Sequence, residues 1–224
     1  MKLAVALLAL LVAVPSVVSA ETLGVVVARC APRVAPRTAL AIISVESSGK
    51  WWAVNDNDRA APDFATPEAA IAYAERRVAE GGNIDLGLSQ LNSSHLSEFH
   101  VTVREAFEPC TNVALGMNVL QDAWVQAQAR YGTTRDALFH AFEAYNGGAG
   151  SWTTANQALR ARVDRYASEV WATAMGLSPK LSVVAAPPAH VGVAPTAVRV
   201  HRTARVVSSH RVTVFYRAPN GSGV

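Results

Sequence analysis

Three short stretches hold side chains whose types and spacing can do chemistry. The first is "IISVESSGKWW", Ile42 to Trp52, with the carboxylate Glu46 at the end of an apolar run. Ala39, Ile42, Ile43 and Glu46 stand at i, i+3, i+4 and i+7, so a helix puts all four on one face. Three are apolar, so Glu46 faces the core side. Burial there disfavours the charged form and raises the pKa. A carboxyl group still protonated near neutral pH can act as a general acid. The plain alternative is a helix-end Glu that escapes to solvent or pairs with an Arg.

The second stretch is "NIDLGLSQLN", Asn83 to Asn92. Gln90 and Asn92 carry amides that both donate and accept, which suits sugar hydroxyl and acetamido groups. A turn with a helix cap explains the same residues without function. The third is "AYNGG", Ala144 to Gly148. Leu138, Phe142 and Tyr145 share a helical face, and the Tyr145 phenol can bury its ring and offer its hydroxyl to a neighbour. The turn at Asn146-Gly147-Gly148 lets backbone approach a ligand closely. A core tyrosine before an ordinary C-cap is the plain alternative.

The elements that must position these groups are helical. Period-3.6 patterns dominate from about 35 to 175, and no run of alternating strands stands out. Helices are expected over about Pro36–Ser47, from Thr66-Pro67-Glu68 to Gly81-Gly82, over about Asn112–Tyr131, Thr134–Tyr145 and Thr154–Met175, with a short one after Leu88. Val113, Met117, Leu120, Trp124 and Ala127 give the longest its apolar stripe. Val163, Tyr166, Val170 and Trp171 share one side of the last. About 150 residues suffice for a real core.

The ends differ from the middle. Residues 1–20 read as a signal peptide: Lys2, an apolar run from Leu3 to Val14, Pro15 and a small-residue cleavage site at Val18-Ser19-Ala20. The mature, exported chain is expected to begin near Glu21. Two cysteines, Cys30 and Cys110, then read as one disulfide in an oxidising compartment, with two buried thiols as the alternative. Residues 178–224 form a Pro/Ala/Val-rich tail with six Lys or Arg and no acid, expected to be extended or disordered. With Lys2 and those six set aside, residues 21–177 hold 13 bases against 17 acids, a charge of −4. The tail's loose alternation also suits a strand added to a partner's sheet. His190, His201 and His210 are too widely spaced for a metal site, and no nucleic-acid fold accompanies the basic charge.

In order, Glu46-Ser47, Gly87-Leu88-Ser89-Gln90, Asn112 with Gly116, and Ala144-Tyr145-Asn146-Gly147-Gly148 resemble the motifs of lytic transglycosylases with a lysozyme-like fold. The resemblance covers roughly residues 30–172. Ser89 stands where many relatives have Met, a change of packing beneath the site. The run "TPEAAIAYAERRVAEGGNIDLGLSQLN" resembles the subgroup that serves type IV secretion and conjugation.

The resemblance implies an α-dominated, α+β lysozyme-like single domain over 21–177. It implies cleavage of the β-1,4 bond between N-acetylmuramic acid and N-acetylglucosamine in peptidoglycan, with a 1,6-anhydro product. It also implies the periplasm and association with the cell wall for the exported chain. Glu46 is the implied acid and base, and neither cofactor nor metal is required. Tyr145 is expected to orient Glu46 or assist near the acetamido group. Gln90, Asn92 and Asn146 are expected at the sugar, and Ser47 in local geometry. Trp51 and Trp52 are either sugar-stacking or core residues.

A two-carboxylate hydrolase is the competing enzyme, with Asp56, Asp58, Asp85 and Glu143 available as the second acid. Asp85 is otherwise a cap on the next helix. A wall-binding assembly factor that docks periplasmic secretion components through the tail is the reading from another class.

Overall fold

The structure, a computed structural model, describes residues 21–177. The signal peptide and basic tail expected from sequence lie outside the described residues.

Eight helices and a small sheet follow in the order α1 (Leu23–Cys30), α2 (Pro36–Ser47), β1 (Val54–Asp56), α3 (Pro67–Ala79), β2 (Ile84–Leu86), β3 (Leu91–Asn92), α4 (Leu96–Phe99), α5 (Val103–Ala106), α6 (Pro109–Tyr131), α7 (Arg135–Gly147) and α8 (Gln157–Ala172). The α-dominated, α+β expectation describes this architecture. Local chemistry explains most helix starts. Thr66, Thr134 and Asn156 cap α3, α7 and α8 through side-chain oxygens that accept from Ala69, Ala137 and Leu159 N–H groups. Thr102 and Glu105 complete a capping box on α5. Pro36, Pro67 and Pro109 occupy first turns, where a missing N–H costs no helical bond.

Several sequence-based bounds move. α6 starts at Pro109 rather than Asn112, because Pro109 tolerates the first turn. A strand and a 3-10 turn over Ser93–His95 precede the short helix expected after Leu88. α1 precedes the segment in which helical periods stand out.

The strands are antiparallel in the order β1-β2-β3. Val54 faces Leu86, and Leu86 faces Leu91; Asn55 faces Asp85, and Asp85 faces Asn92. One face therefore buries Ile84, Leu86 and Leu91 while the other is polar, as an antiparallel sheet allows.

Two apolar clusters hold the fold. The larger joins α1, α2, α7, α8 and one side of α6, with Ile42, Ile43, Val113, Met117, Phe142 and Val170 fully enclosed. The smaller joins the sheet, α3, α5 and Leu115 of α6. α6 is thus the spine shared by both, and each enclosed large aliphatic side chain contributes about 2–3 kcal/mol. The disulfide Cys30–Cys110, with Cα atoms 5.3 Å apart, ties α1 to the start of α6.

Charge fixes the smaller half. Arg77 on α3 donates to Asp56 at 2.6 Å, Asp58 at 2.9 Å and Glu80 at 2.9 Å. Tyr73 adds a 2.6 Å bond to Asp56. The Arg77 guanidinium holds the Asp56 carboxyl well below the usual range.

Candidate active site

Helix α2 delivers Glu46 to the junction between the two halves. Its apolar stripe docks in the larger core, and the helix stops where Ser48 turns left-handed at φ 51°. Ser47 Oγ donates to the Leu88 carbonyl at 2.7 Å and accepts from Gly49 N–H at 3.2 Å. It thus ties the end of α2 to the loop after β2.

That loop rests on a buried polar knot. Asn112, fully enclosed on α6, donates to the carbonyls of Leu86 at 2.8 Å and Ala106 at 2.7 Å, and accepts from Ser89 N–H at 2.7 Å. Ser89 Oγ lies 2.6 Å from Asn112 Oδ1. Such a knot is stabilising only because its members are satisfied. Two glycines make room for it. A Cβ on Gly87 would meet Asn112 Nδ2 at 2.5 Å, and φ +72° disfavours any other residue there. A Cβ on Gly116 would meet Ser89 Oγ at 2.3 Å and the Tyr145 hydroxyl at 3.0 Å.

Above the knot, a cleft of about 800 Å³ runs between the sheet and α6–α8. Glu46, Asp85, Gln90, Asn92, Tyr145 and Asn146 all line it. Glu46 is half-buried, and burial pushes its carboxyl up to about 7. A hydrogen bond from Tyr166 opposes the rise, while the charges of Asp85 and Glu169 add to it. The group therefore exchanges its proton near neutral pH, where both the acid and its anion are populated.

The phenol that orients Glu46 is Tyr166 of α8, donating to Oε1 at 2.5 Å. Tyr145, expected in that role, instead donates to the Ser89 carbonyl at 2.6 Å. The two rings lie nearly parallel, with centroids 6.4 Å apart. Burial raises both phenols well above their ordinary range, so each remains a donor at neutral pH. Tyr166 was legible only as part of an apolar stripe. A hydroxyl amid core positions is the one signal that marks it.

The amides divide their work. Gln90, at φ 46°, uses Nε2 to hold the Gly87 carbonyl at 2.9 Å and the Ala53 carbonyl at 3.3 Å. Asn92 donates to Asp85 at 2.7 Å and Asn83 at 2.6 Å. Asn146 lines the cleft, and its Oδ1 is buried with no hydrogen-bond partner among the described residues. Trp51 packs on the larger core and Trp52 on the smaller, their rings edge-on at 5.4 Å, and neither lines the cleft.

Of the four carboxylates considered as a second acid, Asp56 and Asp58 are engaged by Arg77. Glu143 is enclosed against His140 and Arg160. Asp85 does line the cleft, and it belongs to β2 rather than capping a helix.

A family model described as "Transglycosylase SLT domain" matches residues 25–167. The chain belongs to the transglycosylase SLT domain family. The match spans every element from α1 to most of α8, and so all the SLT-domain cleft residues named above. The chain is also similar to curated proteins. "Type IV secretion system protein virB1" of Brucella abortus is 34% identical over 122 residues, 54% of this chain and 51% of the relative. "Protein virB1" of Agrobacterium fabrum is 33% identical over 124 residues, 53% of this chain and 49% of the relative. "Protein virB1" of Rhizobium radiobacter is 27% identical over 154 residues, 68% of this chain and 61% of the relative. The chain thus spans about half the length of the Brucella relatives it matches. No solved structure matches it significantly.

Proposed function

We propose that the protein is a peptidoglycan lytic transglycosylase that opens the wall locally for a type IV secretion or conjugation apparatus. One observation carries the chemistry: a half-buried Glu46, held by Tyr166 and pushed up to about 7, on the wall of a sugar-sized cleft. The SLT-domain match and the virB1 relatives support the substrate and the setting.

Glu46 protonates the glycosidic oxygen of the N-acetylmuramyl bond. Positive charge then develops at the sugar, with the substrate's acetamido group assisting. Glu46, now a carboxylate, takes the proton from the 6-hydroxyl, whose oxygen closes the 1,6-anhydro ring. Tyr166 holds the carboxyl through both steps, because the phenol donates to the acid and, more strongly, to its anion. Asn146 offers its unpartnered amide oxygen to a sugar N–H or O–H. Residues 1–20 direct export to the periplasm, and residues 178–224 dock periplasmic secretion components.

A hydrolysing muramidase is the second reading, favoured by the presence of Asp85 in the same cleft. Fragments released from purified peptidoglycan separate the two: anhydro ends support transglycosylation, and reducing ends overturn it. An assembly factor that acts by binding alone predicts normal secretion with Glu46→Gln.

A further inference from the structure

We propose that Asp85 is a second catalytic carboxylate, which accepts the acetamido N–H of the cleaved sugar and stabilises the positive charge formed there. The inference rests on the lytic reading above.

Strand register places Asp85 between Asn55 and Asn92 on the polar face of the sheet. Asn55 Nδ2 and Asn57 Nδ2 donate to Oδ2 at 3.1 and 2.9 Å, and Asn92 Nδ2 donates to Oδ1 at 2.7 Å. A carboxylate accepts along about four lone-pair directions. Both on Oδ2 are taken, and one on Oδ1 remains.

The donors are all neutral. Asp56 and Asp58 face Arg77, Glu143 faces His140 and Arg160, and Glu98 faces His95. Among the described residues, Asp85 makes no ion pair with a cation within 4.0 Å. Amides fix its position without neutralising its charge. That is the arrangement of a preorganised group aimed at developing positive charge. Its field reaches the reacting machinery, since its charge acts on both Glu46 and Tyr145.

The remaining acceptor direction on Oδ1 leaves room for one donor from the substrate. As the glycosidic bond breaks and the Glu46 proton passes to the leaving oxygen, the acetamido carbonyl oxygen bonds to C1. The resulting five-membered ring carries the positive charge and keeps its N–H. Asp85 Oδ1 accepts that N–H. The 6-hydroxyl oxygen then bonds to C1, the ring opens to restore the amide, and the hydroxyl proton passes to Glu46. Asp85 ends as it began. An Oδ1 occupied by this N–H has no direction left to activate a water.

The test uses the full chain, purified peptidoglycan and the variants Asp85→Asn and Asp85→Ala. Asp85→Asn is expected to slow anhydro-fragment release by about 100-fold. Co-sedimentation with peptidoglycan, measured in a Glu46→Gln background, is expected to change by less than about 3-fold, since little of a transition-state interaction is present in the ground state. The alkaline limb of the residual rate moves to lower pH, because Glu46 loses a negative neighbour. Formate, the carboxylate probe, restores part of the Asp85→Ala rate. Unaltered rates in both variants overturn the proposal. So does a rate loss matched by equal loss of binding or by a collapse of the melting temperature. Reducing-ended product from the unaltered protein overturns the lytic reading, and the acetamido role with it.

Discussion

Tyr166 Oη lies 2.5 Å from Glu46 Oε1, a hydrogen bond between residues 120 positions apart that joins α8 to the end of α2. It sets the height of the acid as well as its direction. Burial raises Glu46, and this bond pulls it part of the way back. Tyr166→Phe is therefore expected to slow fragment release by about 10- to 100-fold, the worth of a hydrogen bond to an ionised group. The alkaline limb of its pH profile moves upward. Tyr145→Phe loses only the bond to the Ser89 carbonyl, at about 1 kcal/mol of stability, and leaves that limb in place.

The pH dependence of the unaltered enzyme follows from the same carboxyl. A general acid must start protonated, so activity is expected to decline as pH rises through about 7. A rate profile on purified peptidoglycan checks this. A decline centred near the ordinary Glu value would contradict a desolvated Glu46.

Stability moves in the same direction, over a lower pH window. Between the ordinary Glu value of 4.5 and about 7, the folded protein keeps a proton on Glu46 that the unfolded chain has lost. Stability therefore falls as pH rises through that window, by at most about 3 kcal/mol. Glu46→Gln removes the ionisable group and is expected to gain on the unaltered protein by that order between pH 4 and 8. Denaturant unfolding at several pH values measures the difference.

Much of this was legible beforehand, and the limits are physical. Glu46 stood out because a single helix places it, and helical spacing is local information. Tyr166 did not, because its partner is reached only when α8 packs on α2. The strands run two or three residues each, too short for alternation to register. The amide collar on Asp85 depends on strand register and was invisible for the same reason. Trp51 and Trp52 could be assigned only by seeing which core each one meets.

The polar knot under the cleft gives a further prediction. Asn112→Ala strands the Leu86 and Ala106 carbonyls and the Ser89 N–H without partners. A loss of about 3 kcal/mol or more is expected, because buried polar groups left unpaired carry their full desolvation cost. Gly116→Ala pushes on Ser89 and Tyr145 from below and is expected to lower activity and melting temperature together.

Removal of the Cys30–Cys110 crosslink, which closes a span of 80 residues, is expected to cost about 4–5 kcal/mol in the chain-entropy view. Melting of the oxidised protein against a Cys30→Ala/Cys110→Ala variant measures it. The loss should appear as a lower melting temperature with Glu46 chemistry intact below the transition.

The central claim is that Glu46 alone both gives and takes the proton. Mass spectrometry of fragments released from purified peptidoglycan by the unaltered protein and by Glu46→Gln tests it most directly. The account predicts 1,6-anhydro-muramyl ends that vanish in the variant. Reducing ends, or anhydro ends that persist with Glu46→Gln, would contradict it.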